Sequence, residues 1–431
     1  MSLDWSRKNM TLANVARRGI GIWLGALLCV VSALAQSAST APIRTDPKEK
    51  FTVNPGFRDW APTTIAGTTI LGGNSSNRGG LFAVDTLTGK LKWTSRPTGL
   101  PHGNPFVWTR PAVSGNIVIV PMGHTLVALS LATGKEIWRG LSTAQSAAVA
   151  ADSGSAFVMG EDNNFYALDA ASGRQKWKVA FSRGNGSCYS LPVVRDGTVY
   201  VTGNVLLRPA NAIHPAVYYR HLFALDANTG KELWRYPSVP IDERGGICLT
   251  QPIVTADTFF GVESVTLYAV NLTTGRERWA PLEVRRPVEG RDRAVRLFGM
   301  VDAGPLLVGL TSGSLIVFDK ASGKIAWNIP GQYSENSPST AVAGKVLYFQ
   351  GHPGAEPAPE FQGGILYVGG RPVKQVVVLP SGRLNALDLD TRKILWSFSR
   401  PTAEANWSFG FVSPVDGGLW VDSYQALVKL Q

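Results

Sequence analysis

The sequence predicts an all-β fold: an eight-bladed β-propeller of four-stranded antiparallel blades with tryptophan-docking motifs, closed by an N-terminal strand. Three observations predict it. One eleven-residue segment recurs seven times, its tryptophans fall at a blade-like period, and the last repeat stops one strand short. The copies are AVDTLTGKLKW (83–93), ALSLATGKEIW (128–138), ALDAASGRQKW (167–177), ALDANTGKELW (224–234), AVNLTTGRERW (269–279), VFDKASGKIAW (317–327) and ALDLDTRKILW (386–396).

Each copy sits in the same grammar. A short β-rich pair precedes it, as in LPVVRDGTVYVTG (191–203), with a turn at Asp196-Gly197. Apolar alternation over His221 to Leu225 then predicts a third strand. Asp-x-x-Thr-Gly follows as a turn, because an Asp side chain accepts backbone N–H bonds and Gly supplies the positive φ. Lys-Glu-Leu-Trp is the fourth, outermost strand.

Trp93, Trp138, Trp177, Trp234, Trp279, Trp327 and Trp396 are separated by 45, 39, 57, 45, 48 and 69 residues. A period near 40–45 with four strands per unit marks a propeller blade. A lone blade leaves both faces wet, and an indole on its outer strand can dock on the next blade. Burying it is worth roughly 2–3 kcal/mol. The seven tryptophans are therefore expected to be joints rather than seven active sites.

Seven units end at Trp396, and residues 411–431 supply three more strands. Lys50-Phe51-Thr52-Val53 is the candidate missing strand, closing the ring and removing both open edges. Eight blades are expected, with seven as the alternative.

Ahead of the repeats, Arg17-Arg18, an apolar run over 19–34 and Ala33-Leu34-Ala35 make a processing signal. The expected organisation is a signal peptide over 1–35, a linker over 36–48 and the propeller over 49–431, in a periplasmic or secreted protein. Met10 is an alternative start, and a retained anchor is the alternative fate of the segment. No transmembrane span is expected after cleavage, since no other apolar run approaches ~20 residues. Removing residues 1–35 takes four basic residues and one acid, leaving a net charge of +8. That field favours anionic partners. No nucleic-acid module is visible.

In such a meander the short Thr-Gly turns share one face, and the irregular connections share the other. Insertions at 204–220 and 352–383 and long connections at 94–110, 235–250 and 280–297 all fall on that second face. Partner binding is expected there. The connection LEVRRPVEGRDRAVRLF (282–298) carries Arg285, Arg286, Arg291, Arg293 and Arg296 beside Glu283, Glu289 and Asp292. It reads either as a solvated loop with internal ion pairs or as a contact for an acidic partner. The histidines at 102, 124, 214, 221 and 352 also map to this face, yet no pair has ligand spacing, so no metal site is assigned. Cys188 and Cys248 occupy matching positions before the inner strands of neighbouring blades. They are either one disulfide or two thiols placed alike by duplication.

The repeat Ala-x-Asp-x-x-Thr-Gly-Lys-x-x-Trp resembles the docking motif of the quinoprotein (PQQ-like) propellers, over about residues 49–431. That resemblance implies the fold but leaves function open. The superfamily includes quinone-dependent alcohol dehydrogenases and the non-enzymatic propeller subunit of the outer-membrane β-barrel assembly machinery. The dehydrogenases use an Asp base, a Ca²⁺ site and often a Cys-Cys pair. No Cys-Cys dipeptide occurs here, and no catalytic residue or cofactor is assigned. The assembly subunit is lipid-anchored through an N-terminal Cys, where this chain would begin at Gln36. The expectation is a monomeric, non-catalytic scaffold for a protein or other envelope macromolecule, acidic partners included. The alternatives are a quinone-dependent dehydrogenase and a glycan binder using Trp108 and Trp407.

Overall fold

The computed structural model describes residues 41–431 apart from 56–62, 75–78, 101–106, 108, 143–147, 183–190, 212–215, 239–249, 264, 289–290, 334–339, 356–359, 363–364, 369–370, 373–382, 400–408, 416 and 424–425. Among these residues there is no helix, and so none long and apolar enough to cross a membrane. Eight antiparallel sheets follow one another along the chain. Blades 1 to 7 span 64–95, 112–142, 149–180, 193–236, 250–283, 298–332 and 340–399, each with a core of four strands in sequence order. Blade 8 takes Phe409–Val415, Gly418–Ser423 and Ala426–Leu430 from the C-terminus and Glu49–Val53 from the N-terminus.

Burial follows from each strand's place in its blade. In blade 2 the second and third strands, Ile117–Met122 and Thr125–Ser130, are buried almost throughout, while the outer Glu136–Ser142 is largely exposed. Middle strands are covered on both faces and so read as continuous apolar runs; the outer strand is half wet. The core is consequently not central. Eight buried apolar clusters ring the molecule, one at each junction between neighbouring blades.

The tryptophans make these junctions. Trp93 Nε1 donates to Leu131 O at 2.9 Å, Trp138 to Ala170 O at 2.9 Å and Trp177 to Ala227 O at 2.9 Å. Trp234 and Trp279 likewise reach Leu272 O and Lys320 O, at 2.8 and 3.2 Å. Each acceptor is the second residue of the next blade's turn. The turn glycine lies flat against the indole: a Cβ on Gly134 would come within 2.6 Å of Trp93, and its φ is +68°. Close approach and left-handed backbone therefore both demand glycine there, and the contact recurs at Gly173, Gly230, Gly275 and Gly323. The Asp ahead of it ties the turn. Asp226 Oδ1 accepts from Asn228 N (3.1 Å), Thr229 N (2.8 Å) and Thr229 Oγ1 (2.7 Å). These bonds favour the ionised form, with the Thr229 hydroxyl foremost, and hold the Asp226 carboxyl below its ordinary range.

Closure follows the expected strand and departs from the motif. Thr52 faces Val428 and Val53 faces Leu427 in an antiparallel ladder. No tryptophan stands on that strand. Phe51 lies on Gly89 instead, where a Cβ would come within 2.8 Å of its ring. The acceptor Thr86 O, equivalent to Leu131 O in the next blade, is taken by Lys429 Nζ at 2.8 Å. Two residues from opposite chain ends thus divide one indole's work. Blade 8 also lacks the unbroken turn on which blade 7 would dock. Residues preceding the closing strand replace it: Trp396 Nε1 donates to Ile43 O at 2.9 Å, and Ile43 N donates to Tyr348 Oη at 2.8 Å. Arg44 pairs with Asp388 beside it.

Candidate functional site

The two rims of the ring differ. On one lie the Asp-x-x-Thr-Gly turns, nearly identical from blade to blade. On the other lie connections that vary in length and carry extra structure, concentrated in blades 4 to 7.

Blade 4 contributes an arm. Its second and third strands, Thr198–Arg208 and Val217–Asp226, run well past the blade and stay paired as far as Arg208 opposite Val217. The insertion at 204–220 is thus mostly ladder rather than the irregular loop its break in period implies. Val205 pairs with Tyr219, Leu206 with Tyr218 and Arg208 with Val217, the register shifting at Leu207, and the valines and tyrosines among them favour an extended strand. Tyr219 is buried against His221, with ring centroids 5.0 Å apart, and anchors the base of the arm. Leu206 and Leu207 are 42% and 41% exposed. His221 itself is buried, and its Nδ1 lies 2.7 Å from Pro237 O. Burial, opposed by that bond, lowers its pKa and favours the neutral ring.

Between blades 5 and 6 the arginine-rich connection forms a second hairpin, Arg285–Val288 paired with Arg291–Ala294. Val284 and Val295 close its base, with Val295 N donating to Val284 O at 2.8 Å, and both join the apolar cluster between the blades. Arg285 is held by Glu283 at 2.9 Å and by Asp292 at 2.9 Å. Arg286 lies opposite Arg293 and Arg291 opposite Val288 in the ladder, while Arg296 is exposed just beyond it. One short hairpin therefore gathers four of the five arginines, with Arg296 next to its base.

Blades 6 and 7 are tied together on the same face. The outer strand of blade 6, Ile325–Gln332, pairs at its end with His352-Pro353 of the blade 7 insertion. That insertion then forms a small three-stranded sheet over Glu360–Gln362, Ile365–Val368 and Arg371–Pro372. Blades 2 and 3 show the contrast. Their connections are tight turns joined by His124 Nδ1 and Glu161 Oε1 at 2.5 Å, with Ser142 Oγ donating to Glu161 Oε2 at 2.8 Å.

Cys188, Cys248, Trp108, Trp407, His102 and His214 lie outside the described residues, as does Gln36. Among the described residues no three His, Cys, Asp or Glu side chains come together to hold a metal ion. What the face offers is relief: an arm carrying two exposed leucines, a basic hairpin and a small accessory sheet on a ring of docked blades.

The fold has counterparts among solved structures. It covers 90% of this chain and all of BamB from Moraxella catarrhalis, with a TM-score of 0.56 and 14% identity. It covers 90% of this chain and 76% of quinohemoprotein alcohol dehydrogenase from Comamonas testosteroni, with a TM-score of 0.56 and 15% identity. Among sequences, quinoprotein alcohol dehydrogenase PedH of Pseudomonas putida is 29% identical over 181 residues, 36% of this chain and 27% of its own length. The chain thus matches only about a quarter of that relative. The family model described as Outer membrane protein assembly factor BamB matches over 44–149, 123–298 and 193–354. These matches overlap to cover well over half the chain, which therefore belongs to that family of PQQ-like propellers.

Proposed function

We propose that this chain is an exported, non-catalytic scaffold that holds a protein or other cell-envelope macromolecule on its irregular face. The observation that carries the reading is the contrast between the two rims: short, near-uniform turns on one, and on the other the arm of blade 4, the arginine hairpin and the accessory sheet. Rigid rings that vary their connections on one face bind through that face. Export from a signal over residues 1–35 fits membership of a family described by an outer-membrane assembly factor. The basic hairpin suits an acidic surface on the partner, with Arg286, Arg291, Arg293 and Arg296 as the contacts and Arg285 as the residue that braces them. The likeness to alcohol dehydrogenases supports the shared scaffold.

Photo-crosslinking tests the reading. A benzoylphenylalanine placed at Leu206 or Leu207 should give a defined product in envelope preparations, whereas one at Leu87, on the turn rim, should give none. Equal labelling from both rims would overturn it. Neutralising Arg286 and Arg291 should weaken the product at low salt and matter less at high salt. Addition of pyrroloquinoline quinone and Ca²⁺ separates the enzyme reading, which requires dye reduction with an alcohol; turnover there would refute a non-catalytic role.

A further inference from the structure

Glu-x-Trp-Arg occurs in two of the seven repeats, at Glu136–Arg139 in blade 2 and Glu232–Arg235 in blade 4. In a regular strand, residues three apart point to opposite faces. Here a bulge intervenes. Ala128 pairs with Trp138 but Leu129 with Glu136, and Ala224 pairs with Trp234 but Leu225 with Glu232. The extra residue, Ile137 or Leu233, is left exposed, and Glu and Arg are brought to one face, turned toward the preceding blade. Both pairs are two-pronged: Arg139 Nε and Nη2 reach Glu136 at 2.6 Å each, and Arg235 Nε and Nη2 reach Glu232 at 2.7 and 2.6 Å.

The pairs differ in what the remaining nitrogen does. Arg139 Nη1 donates to two consecutive main-chain carbonyls, Thr98 O at 2.8 Å and Gly99 O at 3.2 Å, in the irregular connection that follows blade 1. Arg235 Nη1 has no such acceptor among the described residues. It instead borders an open cleft of about 320 Å³ between blades 3 and 4, lined also by Val179, Phe181, Asn204, Phe223 and Glu232. The cleft is firmly built. Phe181 and Phe223 stack with centroids 4.9 Å apart, and the Arg235 guanidinium lies 5.0 Å from the Phe223 ring. Ser182 N donates to Asn204 O at 2.8 Å, and Ser182 Oγ accepts from Leu206 N at 2.9 Å, which fixes the far wall.

We infer that this cleft binds a peptide segment of a partner protein through two consecutive main-chain carbonyls, as Arg139 holds Thr98 and Gly99. Glu232 neutralises the guanidinium and occupies its Nε–Nη2 edge. The free N–H pair is thus a neutral-carbonyl donor rather than an anion site. The aromatic walls take an apolar side chain beside those carbonyls, and the volume falls in the range of small ligand sites, roughly 300–1,000 Å³. The inference goes beyond the loop-face reading and can fail while that reading stands, because the cleft lies between blades.

The probe is the segment that Arg139 holds: a capped peptide Ser-Arg-Pro-Thr-Gly-Leu-Pro, the sequence of residues 95–101. Titrated into methyl-labelled full-length protein, it should shift the Val179, Val205 and Leu225 methyl resonances saturably, with a millimolar-range Kd. Arg235→Lys keeps a charge beside Glu232 but loses the planar fork, and should weaken binding about fivefold or more. Arg139→Lys should lower the melting temperature and leave peptide binding unchanged, which separates recognition from folding. Absence of shifts up to about 5 mM peptide, or shifts indifferent to Arg235→Lys, would overturn the inference. So would binding that appears only after residues 183–190 are replaced by a Gly-Ser linker, since the cleft would then belong to the chain's own connection.

Discussion

Five of the inter-blade joints and the joint that closes the ring solve one problem with different parts. At a regular joint a single tryptophan supplies both the flat surface that covers the turn glycine and the N–H that binds the turn carbonyl. Between blades 8 and 1 the surface comes from Phe51 and the N–H from Lys429, whose side chain is buried over Trp420 at 5.9 Å. The joint before it borrows Ile43 from ahead of the closing strand. The difference teaches that at the closing joint the turn carbonyl and its glycine are kept as in the five regular joints, while the donor is interchangeable. It also places the ring's dependence on its N-terminus in two neighbouring joints at once.

Removal of residues 36–53 should therefore have the largest effect on stability. It strips the closing strand, the Phe51 contact and the Ile43 acceptor together and exposes the edge of blade 8. Aggregation, or loss of the cooperative thermal transition, is the expected outcome, measured by light scattering during a melt. A melting temperature within a few degrees of the full chain would mean that closure carries little of the stability.

Next comes a regular joint. Trp177→Ala removes a nearly buried indole packed against Phe157 and Phe165 at 5.9 and 6.1 Å, together with its bond to Ala227 O. Large-to-small changes of this kind cost about 3–5 kcal/mol. The divided joint should be softer. Lys429→Met keeps the buried stem but removes the bond to Thr86 O, at a cost of about 1–3 kcal/mol. Phe51→Trp added to it should restore part of that cost if the indole can reach the same carbonyl. Urea denaturation of the three variants checks the order, and a Lys429→Met chain as unstable as Trp177→Ala would contradict the division of labour.

Acid should test the turns that all joints share. Asp85, Asp169, Asp226, Asp319 and Asp388 are all held below the usual carboxylate range, mainly by hydroxyl and backbone donors of their own turns. A depressed folded-state pKa gives stability that is full above the unfolded value, near 3.9, and is lost as pH falls through the folded one. His221 acts earlier. Its lowered pKa makes the unfolded chain bind more protons just below pH 6.5, so stability declines there as well. Melting temperatures should fall gently from pH 6.5 and steeply below about pH 4. His221→Asn, whose amide can replace Nδ1, should abolish the gentle slope and keep the steep one.

The regular joints were legible in the sequence because each is written within eleven contiguous residues. Closure by residues 50–53 was legible as well, from a strand count that came out one short. Lys429 and Ile43 were not, since each acts across more than three hundred residues on a carbonyl that carries no side-chain signature. The blade 4 arm was hidden for another reason. A broken period marks an insertion but does not say whether it is paired, and only the apolar, aromatic run facing itself across 205–219 hints at a ladder. The Glu232–Arg235 pair escapes a period-two reading because a bulge reverses its faces.

The smallest effect is expected at the one turn that breaks the glycine rule. Blade 7 places Arg392 where the other turns place glycine, at a φ of +59°, with its guanidinium 5.6 Å from the Trp327 ring. Left-handed backbone costs a non-glycine residue about 1–2 kcal/mol, and a partly exposed cation–π contact returns about 0.5–1 kcal/mol. Arg392→Gly relieves the first and forfeits the second. Glycine also adds backbone entropy to the unfolded chain, which costs about 0.5–1 kcal/mol. The three nearly cancel, so Arg392→Gly should lie within about 0.5 kcal/mol of the parent chain. Arg392→Ala keeps the strained backbone and loses the cation, and should be less stable by about 0.5–1 kcal/mol. Urea midpoints of the two variants resolve the difference. If Arg392→Ala matches the parent while Arg392→Gly gains a full kcal/mol, the guanidinium contributes nothing to the joint, and the exception is a cost that the neighbouring Arg44–Asp388 and Ile43–Trp396 contacts absorb.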